Sequence, residues 1–142
     1  MGGYAMLAHT RRVSMLIKFL TAGAIMAALD AVWLGVVAKK FYKSQIGSLL
    51  LAKPNMLAAV VFYLIYTLGI ILFVLNPALE QASPQHAVIY GALFGFVCYA
   101  TYDLTNLTTL KGFPLKVVLV DLAWGTVLAA TVAGLSYAIL VS

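Results

Sequence analysis

Charge is what this sequence has least of. Only 9% of its 142 residues are charged, with nine Lys+Arg against four Asp+Glu. A soluble domain usually carries about 25% charged residues. Here 64% of residues are hydrophobic and the mean hydropathy is +1.04. A domain this small leaves much of its chain at the surface, so a water-facing fold has nowhere to hide that apolar area. Composition therefore excludes an ordinary soluble enzyme and a disordered tail, and points to an integral membrane protein.

Other scarcities narrow the chemistry. The single cysteine, Cys98, cannot form an intrachain disulfide and reads as a small apolar residue within an apolar run. The two histidines, His9 and His86, fall near the opposite membrane face from Asp30, Asp103 and Asp121. HExxH, CxxC and ExxH spacings are all missing, so no zinc or di-iron site and no cofactor is expected. No phosphate-cradling glycine loop and no GxSxG nucleophile motif occurs. The net charge of +5 does not signal nucleic acid, because the basic residues sit at the ends of apolar runs, where they read as headgroup contacts.

Four apolar stretches remain, at about 16–38, 56–76, 87–110 and 115–141. Each is long enough to cross a bilayer as a helix, which takes about 20 residues. The runs lack the alternation of a β-barrel. All four prolines, Pro54, Pro77, Pro84 and Pro114, fall between the stretches, as helix breakers should. The fold expected is all-α: an integral membrane four-helix bundle (15–142) behind an N-terminal leader (1–14). The basic leader before an apolar run has the look of a signal peptide, but the run is long enough to span and is read as retained.

Residues 39–55, KKFYKSQIGSLLLAKPN, mix lysines with Phe41, Tyr42 and a leucine triplet. This predicts a short helix lying in the interface with lysines reaching the headgroups, and Gly47 weakens its continuity. With four crossings, Lys39, Lys40, Lys43, Lys53, Lys111 and Lys116 share one side. Arg11, Arg12 and Lys18 are on the other. The positive-inside rule then places connections 39–55 and 111–114 in the cytoplasm and both termini outward, in a bacterial inner membrane.

Three of the four acids, Asp30, Asp103 and Asp121, lie inside the apolar stretches. An intramembrane carboxylate costs at least ~2.5–3.5 kcal/mol on insertion scales and marks a functional site by default. Counted from the lysine-rich connections at about 1.5 Å per residue, all three lie roughly 10–14 Å below the same interface. Tyr63 and Tyr66 fall at a similar level, as do Tyr99, Tyr102 and Asn106 around Asp103. Trp33 shares a face with Asp30, and Trp124 with Asp121. These residues predict one ligand- or proton-binding pocket, with the tryptophans as its wall. Its expected hydrogen-bond partners are Tyr63, Asn106 and Tyr99 or Tyr102. The competing reading is interhelical hydrogen-bond glue, worth about 0.6–2 kcal/mol per contact.

Gly91 and Gly95 form a small-xxx-small face suited to close helix packing. Aligning Asp30 with Asp103 sets Trp33 opposite Asn106 and raises a parallel repeat of two hairpins.

The blocks LDAVWLGVVAKKFY, FYLIY and GALFGFVCYATYDLTNLTTLKGFPLKVVLVDLAWGTVL carry a resemblance. From about Leu16 onward the chain resembles the bacterial predicted-membrane-protein family catalogued as domain of unknown function 2177. The resemblance implies a compact four-helix membrane protein and carries no catalytic roles. The functional expectation is binding or transport of a small polar or cationic species, proton-coupled, with the lipid bilayer and a further copy of the chain as partners. The alternatives are a lipid-handling enzyme or accessory subunit acting at headgroups, and a structural membrane scaffold.

Overall fold

A computed structural model describes residues 13–142 together with Gly2, Tyr4 and Ala5. His9, Arg11 and Arg12 of the leader lie outside the described residues. Helices account for nearly all of the rest, and no strand occurs among the described residues.

Four helical spans are long and apolar enough to cross a membrane: Met15–Val37, Met56–Glu80, Pro84–Thr109 and Leu115–Val141. Local chemistry starts three of them. Ser14 Oγ accepts from the Ile17 amide at 3.2 Å, Asn55 Oδ1 from Ala58 at 3.1 Å and Ser83 Oγ from His86 at 3.1 Å. Each cap satisfies an amide that the first turn leaves orphaned. Pro114 precedes the fourth span, and Gly112, at φ +74°, makes the tight turn before it.

Two boundaries differ from expectation. Span 3 begins at Pro84, whose missing N–H costs nothing in a first turn. Span 2 runs through Pro77 to Glu80 rather than stopping at residue 76. A proline inside a helix removes one hydrogen bond and crowds the preceding turn. Here the preceding turn, Ile71–Leu75, is a wider π-helical one, so the helix passes the proline without ending.

The connection between spans 1 and 2 holds the expected short helix, Lys39–Ile46, followed by a 3₁₀ turn at Gly47–Leu49. Glycine is a poor helix former, and the α-helix ends where Gly47 begins.

Span 4 is the centre of the bundle and contributes more buried residues than any other. Its small residues let span 3 lie close. A Cβ on Gly91 would stand 2.8 Å from the Ala129 carbonyl oxygen, and one on Gly95 would collide with the Gly125 carbonyl. Met26, Ile70, Val74, Leu128 and Val132 fill the half of the bundle away from the lysine-rich connections. The outward faces carry Leu20, Leu57, Ile65, Phe73, Ile89 and Leu119, all exposed, as a lipid-facing surface requires. At the lysine-poor end, Lys18 Nζ donates to Asn76 Oδ1 at 2.7 Å and ties the start of span 1 to the end of span 2.

Candidate functional site

In the lysine-rich half, spans 1 and 4 run antiparallel and carry the same spacing, Asp30-x-x-Trp33 and Asp121-x-x-Trp124. Residues three apart share a helix face. Opposed directions bring the tryptophan of each span level with the aspartate of the other. The Trp33 and Trp124 rings stack with centroids 4.3 Å apart and planes 4° from parallel. The Trp124 indole N–H donates to Asp30 Oδ1 at 3.2 Å. The Trp33 indole N–H donates to the Tyr42 hydroxyl at 3.2 Å, and that hydroxyl donates to Asp121 Oδ1. The Tyr63 hydroxyl of span 2 completes the Asp30 site, donating to Oδ2 at 2.8 Å. Each carboxylate therefore has one phenol and, directly or through that phenol, one indole. Charge-assisted bonds of this kind are the stronger sort.

Local backbone serves this geometry. Trp33 opens a π-helical turn, Trp33–Val37, and Tyr42 comes back over it on the interfacial helix. Burial, with Asp121 as acceptor, pushes the Tyr42 phenol above its ordinary pKa and keeps it a donor.

The other expected residues are placed differently. Asp103 is fully buried at 0% exposure, and neither oxygen has a hydrogen-bond partner among the described residues. It sits near Asp121, close enough for the two charges to interact. Tyr99 packs its ring on Gly125, where a Cβ would collide with it. Tyr66 is buried with its hydroxyl unpartnered, and its ring lies edge-on to Tyr99 at 6.5 Å. Tyr102 is 61% exposed. Asn106 is half-buried and makes no side-chain hydrogen bond to a described residue. Of the expected partners, only Tyr63 bonds a carboxylate. Thr105, Thr108 and Thr109 turn back to carbonyls of their own helix.

Tyr42 was not among the sequence candidates. Helical depth counting cannot place a residue on a connection that folds back over the bundle. The signal available was the duplicated Asp-x-x-Trp spacing, which leaves indole donors seeking acceptors. Spans 1 and 4 thus carry matching Asp-x-x-Trp segments in opposed directions.

A cavity of about 620 Å³ opens among these groups. Asp30, Asp121, Trp33, Trp124, Tyr42 and Tyr63 line it, with Tyr99, Tyr102 and Phe62 on one wall and Lys39 as its one basic residue. Asp103, Tyr66 and Asn106 do not line it. A second cavity of about 350 Å³ adjoins it between spans 2 and 3, sharing Phe62, Tyr99, Tyr102 and Asp121 and adding Tyr66 and Cys98. The two spans approach each other over Ile71–Glu80, the π turn and the short helix after it, and part toward the lysine-rich end. No cluster of His, Cys, Asp and Glu among the described residues has the arrangement of a metal site.

A family model described as "Predicted membrane protein (DUF2177)" matches residues 15–138. The chain belongs to this family. The match spans all four helices and includes both Asp-x-x-Trp segments, so the whole pocket lies within the family region. Neither curated proteins nor solved structures yield a match to this chain.

Proposed function

We propose that this DUF2177 protein binds an ammonium-bearing ligand in the cavity between Asp30 and Asp121. The observation that carries the reading is the pairing of two carboxylates with an aromatic enclosure: stacked Trp33 and Trp124, with Tyr42, Tyr63 and Tyr99 around them. Aromatic faces attract cations by about 0.5–2 kcal/mol, most where water is excluded. Asp121 accepts from Tyr42 through Oδ1, the Asp103 carboxyl stands beside it, and no other described side chain donates to its Oδ2. That oxygen supplies the counter-charge. The cavity size suits a small ligand.

The far half of the bundle is packed with Met26, Ile70 and Leu128, which makes the pocket a dead end in this conformation. Binding or handling is therefore the reading; translocation requires a second conformation or a homo-oligomer. The buried Asp103 set beside Asp121, with no described N–H or O–H donor on either of its oxygens, argues against a pure scaffold, in which each carboxyl would be paired with a donor. By the positive-charge count, the pocket mouth faces the cytoplasm of a bacterial inner membrane.

Trp33 and Trp124 are the chain's two tryptophans and report directly on the cavity. Titrating tetramethylammonium chloride into the purified protein, against potassium chloride at equal ionic strength, should change their emission saturably. Asp121→Asn should abolish the change. A response identical to that of potassium, or one that survives Asp121→Asn, would overturn the proposal.

A further inference from the structure

The cavity has features that a simple cation does not use. Lys39, its one basic lining residue, stands at the interface and repels a free monocation entering there. The second cavity leads sideways, between spans 2 and 3, walled by Phe62, Tyr66, Cys98, Tyr99 and Tyr102, with Asp121 at its inner end where it meets the first. Away from Asp121 its polar groups are tyrosine hydroxyls and one thiol. The Tyr66 hydroxyl is buried without a partner, and the Cys98 thiol is free. Exposed Phe62 and Tyr102 flank this crevice, and Leu64, Ile65 and Val97 are exposed beside them on the same two spans. Its outer edge therefore meets acyl chains rather than water.

From this arrangement we infer that the ligand is a phospholipid with an amine headgroup, admitted laterally from the bilayer. The inference rests on the ammonium reading above and adds two contacts. The ammonium lies against Asp121 Oδ2 and the tryptophan pair. The phosphate, one short linker away, meets Lys39, so the cation that opposes a bare ammonium complements a zwitterion. An acyl chain occupies the crevice between spans 2 and 3, where it buries apolar area against Phe62 and Tyr66. Charge complementarity at the head and apolar continuity with the membrane at the tail are both needed. A free headgroup satisfies only the first, and a phosphoglycerol lipid only the second.

Four probes separate these terms through tryptophan emission in detergent micelles at fixed detergent: lysophosphatidylethanolamine, lysophosphatidylglycerol of the same chain length, free phosphoethanolamine, and tetramethylammonium. Lysophosphatidylethanolamine should bind at least about tenfold tighter than lysophosphatidylglycerol, the scale expected for one desolvated charge contact. It should exceed free phosphoethanolamine by a similar factor, about tenfold, from tail burial. Lys39→Gln, at an exposed position that risks no core packing, should weaken lysophosphatidylethanolamine and leave tetramethylammonium no weaker. Cys98→Phe, which narrows the crevice, should shrink the preference for the lipid over phosphoethanolamine. Equal binding of the two lysolipids, or of the lipid and its free headgroup, overturns this inference while the ammonium reading stands. An unchanged lipid affinity in Lys39→Gln overturns the phosphate contact and the inference with it. Loss of the Asp121-dependent tetramethylammonium response overturns the earlier reading on its own.

Discussion

Asp30 accepts from the Tyr63 phenol at 2.8 Å and from the Trp124 indole at 3.2 Å, and it is 6% exposed. Its removal orphans two half-buried donors, each costing up to about 1–3 kcal/mol. Asp30→Leu should therefore destabilise the bundle by several times the effect of Asp30→Asn, whose amide oxygen still accepts one of them. Unfolding in mixed micelles measures both. Asp103 is the opposite case, a buried carboxyl with no donor to lose. Asp103→Asn removes a costly group and offers Asp121 an N–H. It should be at least as stable as the parent in the same assay. The two cases show what sequence could convey about the site. Depth along a helix identified Asp30, Asp121 and Tyr63 as neighbours, because rise per residue is fixed. It could not tell that Tyr99 packs on Gly125 or that Tyr102 stands at the exposed edge of the cavity, since neighbouring positions on one helix differ by rotation as well as depth. Nor could it find Tyr42, whose position depends on how the interfacial helix folds back.

At the scale of the helix, close approach of spans 3 and 4 sets the position of everything else. Gly95 faces the backbone of Gly125, and Gly91 that of Ala129. Gly95→Leu should push the spans apart, displacing Tyr99 and Asp103 and costing about 1–3 kcal/mol or more. A lowered thermal midpoint and altered tryptophan emission would report it, and wild-type values for both would refute the packing argument. The spans themselves were legible in hydropathy because lipid demands long apolar helices. The end of span 2 was not. Pro77 reads as a terminator, but a π turn over Ile71–Leu75 absorbs it. Hydrophobic content does not encode such a turn. The interfacial helix was legible from its lysines and aromatics, and its end at Gly47 from glycine's weak propensity.

The whole molecule has two dissimilar halves. One is packed with aliphatic side chains, and the other holds carboxylates, aromatics and a cavity on the lysine-rich side. Topology follows from this polarity and is directly measurable. In a Cys98→Ala background, Ser44→Cys and Gln81→Cys should label from opposite sides of the membrane, with Ser44→Cys reached from the cytoplasm. Gln81 is exposed and, unlike that of Ser83, its side chain makes no capping hydrogen bond. Labelling from one side would contradict four crossings, and reversed labelling would contradict only the orientation. The account depends most on the first and last spans meeting through Asp30 and Trp124, 94 positions apart in the chain. A double-mutant cycle of Asp30→Ala and Trp124→Phe, read by reversible unfolding in mixed micelles, measures that contact. A coupling of about 0.5–3 kcal/mol is predicted for directly bonded residues, and additivity within about 0.3 kcal/mol would contradict the shared pocket.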